Sequence, residues 1–136
     1  MVLGEGLPKD NKEALKWFRM AAEQGYAEAQ RNLGRAYDNG YGVPIDNVEA
    51  VKWFLMAAEQ GLAAAQANLG VMYYLGEGVP KDDIVACMWF ILGSAQSNKS
   101  AMIGMDGISK EITKEQIAEA KKKTREWKAK HTDKNK

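Results

Sequence analysis

The segment Leu33-Gly34-x-x-Tyr37-x-x-Gly40-x-Gly42-Val43-Pro44-x-Asp46 recurs 36 residues later as Leu69-Gly70-x-x-Tyr73-x-x-Gly76-x-Gly78-Val79-Pro80-x-Asp82. Between 27–60 and 63–96, sixteen of the 34 aligned pairs are identical, among them Ala27/Ala63, Gln30/Gln66, Trp53/Trp89, Phe54/Phe90 and Gln60/Gln96. A further shift brings in the N-terminus, where Gly4, Gly6, Pro8, Asp10, Ala14, Trp17 and Phe18 match Gly40, Gly42, Pro44, Asp46, Ala50, Trp53 and Phe54. A unit reused at a fixed period cannot bury its own apolar face and must stack on its neighbours, so the chain is a solenoid. Its expected parts are 1–26, a partial unit with its second helix only; 27–62 and 63–98, two full units; 99–131, a degenerate helix and a C-terminal capping helix; and 132–136, a disordered tail.

Each full unit reads as helix, loop, helix. The first helix (A) is expected from about Ala27 to Asp38, with Ala29, Leu33, Ala36 and Tyr37 at helical spacing. Gly34 and Gly70 lie inside that helix, where glycine costs up to ~1 kcal/mol against alanine. Reuse of so costly a residue points to a close crossing of two helices. The loop Gly40-Tyr41-Gly42-Val43-Pro44 offers two positions free to take positive φ, then a rigid proline. Asp46 with Glu49 has the form of a capping box, and Asp10 with Glu13 repeats it; Asp82 keeps the cap, with Val85 in the second place. The second helix (B) is expected over about 47–60. Ala50, Trp53, Phe54 and Ala57 are its buried stripe, and Trp17, Trp53 and Trp89 hold one core position in successive units.

The spacing Ala-x-Ala-Gln-x-x-Leu-Gly-x-x-Tyr-x-x-Gly-x-Gly-Val-x-x-Asp-x-x-x-Ala-x-x-Trp-x-x-x-Ala-Ala resembles the Sel1-like repeat, a relative of the tetratricopeptide repeat, over roughly residues 3–96. The resemblance implies an all-α, right-handed superhelix of antiparallel helix pairs with A helices on its concave side. It also implies a non-enzymatic scaffold or adaptor that binds a protein or peptide partner. Adaptor, envelope or host-interaction roles in bacteria and protein quality control in eukaryotes are all represented in that family, and compact repeats on a short chain lean bacterial.

The ends depart from the pattern. Met1 aligns with Tyr37, so the first A helix is absent, and the helix over about 11–24 lacks its own partner. Either the chain is a piece of a longer array, or it starts natively with the open face tolerated or covered by homodimerisation. Residues 1–15 carry no basic region followed by an apolar core, which leaves localisation open between the cytoplasm and, for a truncated chain, the periplasm or exterior. At the other end Met102, Ile103, Met105 and Ile108 suggest a degenerate A helix interrupted by Gly104 and Gly107. Thr113-Lys114-Glu115-Gln116 reads as a capping box, opening a helix with Ile117, Ala120, Thr124 and Trp127 on one face.

No chemistry assembles from the residue types. His131 is the only histidine and reads as a surface residue of a frayed tail. The one cysteine, Cys87, aligns with Val51 and Leu15 and reads as core. Gly76-Glu77-Gly78-Val79-Pro80-Lys81 lacks the third glycine of a dinucleotide fingerprint and the Gly-Lys-Ser/Thr of a P-loop. Some Sel1-like proteins are linked to β-lactam binding, but those carry paired cysteines in each repeat, which this chain lacks. The Ser-x-x-Lys of serine β-lactamases is also missing. Neither a cofactor nor a metal is expected. A net charge of +1 gives no general argument for nucleic acid, and no stretch approaches the roughly 18 apolar residues of a membrane span. The late lysines, Lys121 to Lys136, read as a solvated basic tail or as an anion-binding patch. Asn98-Lys99-Ser100 fits a glycosylation sequon.

Function in a repeat scaffold is written where the units differ. Outward positions expected on the first A helix are Glu28, Arg31, Arg35 and Asp38; their counterparts are Ala64, Ala67, Val71 and Tyr74. Either the C-terminal helices cover Val71 and Tyr74, or these residues form an apolar patch beside Arg31 and Arg35 that suits a segment with acidic and apolar side chains. Arg31, Arg35, Asp38, Val71 and Tyr74 are the candidate partner-binding residues. Alternatives are a small-ligand or cell-wall-fragment binder and a self-assembling module.

Overall fold

Asp46 ends the first loop by accepting from the Glu49 N–H through Oδ1 at 3.1 Å, and Asp82 does the same for Val85 N–H at 3.1 Å. These are the expected N-caps, but no reciprocal box forms. The Asp46 and Asp82 N–H groups are already donated to the Tyr37 and Tyr73 carbonyls, at 2.9 and 3.0 Å. Glu49 turns instead to Lys52 at 3.6 Å. The same geometry explains why Val85 serves in the second unit: no carboxylate is needed where the donor is taken. Asp10 lies outside the described residues.

The computed structural model describes residues 11–134. Among them are seven helices and no strand: α1 (Asn11–Glu23), α2 (Ala27–Asn39), α3 (Asn47–Glu59), α4 (Ala63–Leu75), α5 (Asp83–Ala95), α6 (Lys99–Ile108) and α7 (Lys114–Lys134). α2 and α4 are A helices; α1, α3 and α5 are B helices. Successive helices from α1 to α6 pack on one another, α6 also lies beside α4, and α7 returns onto α5. The result is an all-α repeat stack. The A helices end at Gly40 and Gly76, whose φ of +77° and +72° lets each N–H return to Ala36 and Met72 carbonyls. An L side chain would resist that left-handed turn.

The core runs along the stack. Leu15, Ala22, Leu33, Ala36 and Trp53 join α1, α2 and α3. Phe54, Leu69, Met72, Trp89 and Leu92 join α3, α4 and α5. Ala67, Cys87, Phe90, Ala101, Ile108 and Ala120 bind the C-terminal helices to α4 and α5. Each large apolar side chain so buried contributes about 1.5–3 kcal/mol. Cys87 is fully buried, and that burial raises its thiol above the ordinary range, away from thiolate reactivity.

The helix glycines mark close crossings, with a phenyl ring as the other party. A Cβ on Gly34 would stand 2.7 Å from Phe54 Cδ1, and one on Gly70 would stand 2.4 Å from Phe90 Cε1. Phe90 is held from a second side by Gly104, whose Cβ would approach within 2.5 Å. Gly104 therefore admits α6 to the core. The expected interruption at Gly104 and Gly107 does not occur: α6 is continuous from Lys99 to Ile108.

Two further expectations are corrected. Trp17 is 60% exposed, against 5% for Trp53 and 3% for Trp89, so the three do not share one core environment. Trp53 is covered by Leu33 and Ala36 of the preceding A helix, and no such helix precedes α1 among the described residues. His131 is not a frayed surface residue. α7 runs to Lys134, into the segment expected to be a tail, and His131 stacks on Trp127 with ring centroids 3.6 Å apart. Its Nε2 also meets the Glu59 carboxylate, and its Nδ1 lies 2.7 Å from the Trp127 carbonyl. Trp127 in turn meets Trp89 edge to face at 5.9 Å. At its start α7 has a reciprocal box: Thr113 N–H donates to Gln116 Oε1 at 2.8 Å and Gln116 N–H to Thr113 Oγ1 at 3.0 Å.

Gly70 and Gly107 predict opposite signs for one substitution. Gly70→Ala forces a methyl group into the Phe90 ring and is expected to destabilise by about 1–3 kcal/mol in urea unfolding. A Cβ on Gly107 meets nothing within 4 Å. Gly107→Ala is expected to stabilise by about 0.5–1 kcal/mol through helix propensity alone.

Candidate partner-binding site

Because α2, α4 and α6 stand in the same place in successive units, their outward faces adjoin. Arg31 on α2 is half-buried, and its Nε donates to Asn68 Oδ1 on α4 at 2.9 Å. Burial, then the neighbouring Arg35, lowers its guanidinium pKa from the ordinary value. Arg35 is exposed beside it. Val71, one turn along α4 from Asn68, is 43% exposed. Tyr74 is half-buried; its hydroxyl donates to the Glu111 carboxylate at 2.7–2.8 Å, and Lys81 Nζ lies 4.6 Å from its ring centroid. The hydrogen bond to Glu111 is the main reason the Tyr74 phenol titrates above its usual range.

Between α4 and α6 lies an open pocket of about 170 Å³ lined by Val71, Tyr74, Phe90, Gly104, Gly107, Ile108 and Glu111. Gly104 and Gly107 put no side chain into it, so Phe90 and Ile108 form an apolar floor. α6 and the turn after it cover Tyr74 in part, while Val71 remains at the mouth. Ala67, expected to face outward, is buried under α6 with Ala101 and Phe90. Arg31 occupies the equivalent place on α2, so the first unit has a side chain too large for that kind of cover.

Asp38 stands apart from the pocket, at the C-terminal turn of α2. Burial, then the nearby Glu77, raises its carboxyl pKa. Of the five candidates, Val71 and Tyr74 line the pocket, Arg31 bonds to Asn68 on the same α4 helix, and Arg35 and Asp38 lie on α2 outside the lining. Sequence reasoning missed Phe90, Gly104, Gly107, Ile108 and Glu111. The only sequence signal was the pair of glycines in α6. Elsewhere, Asn98 of the sequon caps α6 by accepting from Ala101 N–H at 2.9 Å. No helix among the described residues is long and apolar enough to cross a membrane. Among the same residues, no three of His, Cys, Asp and Glu gather as metal ligands would.

The Sel1 repeat model matches residues 2–26, 27–62 and 63–98 in tandem. The chain belongs to the Sel1 repeat family. Sel1 repeat proteins are generally protein-interaction scaffolds and typically non-enzymatic. The solved structures agree on the fold. A protective antigen of uropathogenic Escherichia coli with an SLR fold superposes at a TM-score of 0.89 and 38% identity, over 93% of this chain and 27% of that one. The chain thus spans about a quarter of that relative's length. A Sel1 repeat protein from Oxalobacter formigenes gives a TM-score of 0.68 at 39% identity, over 76% of this chain and 78% of that one. Helicobacter pylori cysteine rich protein B gives 0.64 at 24% identity, over 67% and 68%, and shares the fold. A search of curated proteins gives no match.

The Asp38 environment predicts a pH dependence. Its folded-state pKa lies above the unfolded value, so the folded protein binds that proton more tightly and ionisation at neutral pH costs stability. An acidic group at a helix C-terminus adds to the cost. Asp38→Asn is expected to raise the urea midpoint at neutral pH. The gain should vanish in acid, once Asp38 is protonated in both states.

Proposed function

We propose that this Sel1 repeat protein is a non-enzymatic adaptor that holds a segment of a partner protein along the concave side of its A helices. Arg31, Arg35, Val71 and Tyr74 are its contact residues, and Asp38 bounds the surface. The observation that carries the reading is the apolar pocket between α4 and α6, next to the α4 helix that Arg31 of α2 reaches through Asn68. Its volume, about 170 Å³, falls below the roughly 300–1,000 Å³ of sites for whole small ligands. It suits one aliphatic or aromatic side chain of a longer segment. Arg35 is free to meet a carboxylate on the same segment, whereas Arg31 is engaged with Asn68. A small-molecule or cell-wall-fragment binder is the weaker reading on this volume.

Selection from a random peptide library, displayed and panned on the wild-type protein, tests the proposal. Sequences that pair an acidic residue with a large apolar one are expected to be enriched. Their affinity should fall about tenfold or more for Arg35→Glu and for Gly107→Leu. Gly107→Leu fills the pocket mouth from a position where a Cβ meets nothing, so the fold survives it. Selected peptides that bind both variants as tightly as wild type would contradict the assignment.

A further inference from the structure

The pocket between α4 and α6 changes character from floor to rim. Its floor is Phe90 and Ile108, 3% and 2% exposed, and neither side chain has a polar atom. Val71 adds an apolar wall, and α6 presents no side chain at Gly104 and Gly107. Among the lining residues only Tyr74 and Glu111 have polar side chains, and Glu111 is exposed at the rim. The Tyr74 O–H is already donated to the Glu111 carboxylate at 2.7–2.8 Å. A phenol has one proton to give, whereas a carboxylate can accept about four hydrogen bonds. The rim therefore keeps acceptor capacity on Glu111 and has no side-chain donor left among the lining residues.

A side chain that fits this gradient has an apolar tip for the floor and a donor near its base for the rim. Leucine and phenylalanine have the tip and no donor. Tyrosine, lysine and arginine carry their polar group at the tip, where Phe90 and Ile108 give it no partner and burial is costly. Lys81, with Nζ 4.6 Å from the Tyr74 ring centroid, adds a positive charge near the rim that disfavours a basic side chain further. Tryptophan has both features: a benzo ring at its far edge, and an indole N–H on the five-membered ring nearer the main chain. Size agrees, since a cavity of about 150 Å³ takes a benzene ring and this pocket has about 170 Å³. We infer that the pocket is a seat for a tryptophan of the partner segment, whose indole N–H donates to Glu111 while its benzo ring rests on Phe90 and Ile108. Glu111 is thereby the specificity-determining residue. The inference rests on the adaptor reading for the segment and narrows its large apolar residue to tryptophan. One such anchor in a desolvated pocket can carry much of an interface's affinity.

The test titrates the isotope-labelled full chain with single amino acids blocked as N-acetyl amides, and follows the Gly104 and Gly107 amide signals by NMR. The probes are tryptophan, benzothienylalanine (the same shape with sulfur in place of the indole N–H), tyrosine and lysine. The tryptophan amide is expected to shift both glycines saturably, and to bind about fivefold or more tighter than its sulfur isostere. Glu111→Met removes the acceptor and should erase that difference, while Glu111→Gln, which keeps one acceptor oxygen, should retain part of it. Glu111 is exposed and its side chain bonds to Tyr74, so neither change threatens the fold. Equal binding of tryptophan and its isostere would overturn the inference, as would tighter binding of tyrosine or lysine, a preference that survives Glu111→Met, or no saturable shift at the two glycines. The library-selected peptides read the adaptor proposal separately. Peptides that weaken with Gly107→Leu yet carry leucine or phenylalanine instead of tryptophan would overturn the tryptophan seat and leave the adaptor standing.

Discussion

A buried glutamine amide at the start of each A helix holds one unit to the next. Gln30 and Gln66 are 2% and 1% exposed, so their amides have left water almost completely. Each Nε2 donates to a carbonyl in the last turn of the preceding B helix, Ala22 at 3.2 Å and Ala58 at 3.3 Å. Each Oε1 accepts from the glutamine that ends the B helix of its own unit. That second glutamine also donates to the carbonyl of the glycine before the unit, Gly25 or Gly61, at 2.9 Å. One pair of side chains thus gives the Ala22 or Ala58 carbonyl a second donor beside the Gly25 or Gly61 N–H, and supplies a donor to the glycine carbonyl as well. A buried polar group deprived of its partner costs about 1–3 kcal/mol. The apolar core supplies most of the energy; the amides fix where one helix pair sits on the next.

The two ends follow from where this arrangement stops. Met102 stands on α6 where Gln30 and Gln66 stand on α2 and α4, and it is exposed. α6 is seated by other means: Gly104 against Phe90, Ala101 against Gly93, and Ile108 in the core. α7 closes the stack by laying Ala120, Thr124 and Trp127 over α5, with His131 reaching Glu59 of the unit before. Among the described residues, α7 covers α5 at the C-terminal end, and no A helix precedes α1. The pocket is a by-product of the change from α4 to α6: a glycine-bearing helix packs where a full A helix would have filled the space.

The period alone carried the fold class, the helix boundaries to within one or two residues for α1 to α5, and the helix-glycine crossings. The glutamines were visible as identical pairs, but their role was not, because spacing does not say which carbonyl an amide reaches. Arg31 and Arg35 against Val71 and Tyr74 were legible as a contrast between units. The misassigned Ala67 shows the limit, since its burial depends on α6, where the repeat has decayed. Phe90 was read as core, and only three-dimensional packing makes it a pocket floor. His131 was unreadable for the same reason: its partner Glu59 is 72 residues away in sequence.

A double-mutant cycle between Gln66 and Gln96, read by urea unfolding, tests the central claim most directly. Gln66→Ala, Gln96→Ala and the double variant give the coupling between the two amides without the separate cost of each truncation. The account predicts a favourable coupling of about 1 kcal/mol or more, with Gln66→Ala alone costing the larger share. Additive effects, with coupling near zero, would mean that the two amides do not act together at the joint where each also reaches a carbonyl of the preceding unit, and would contradict it.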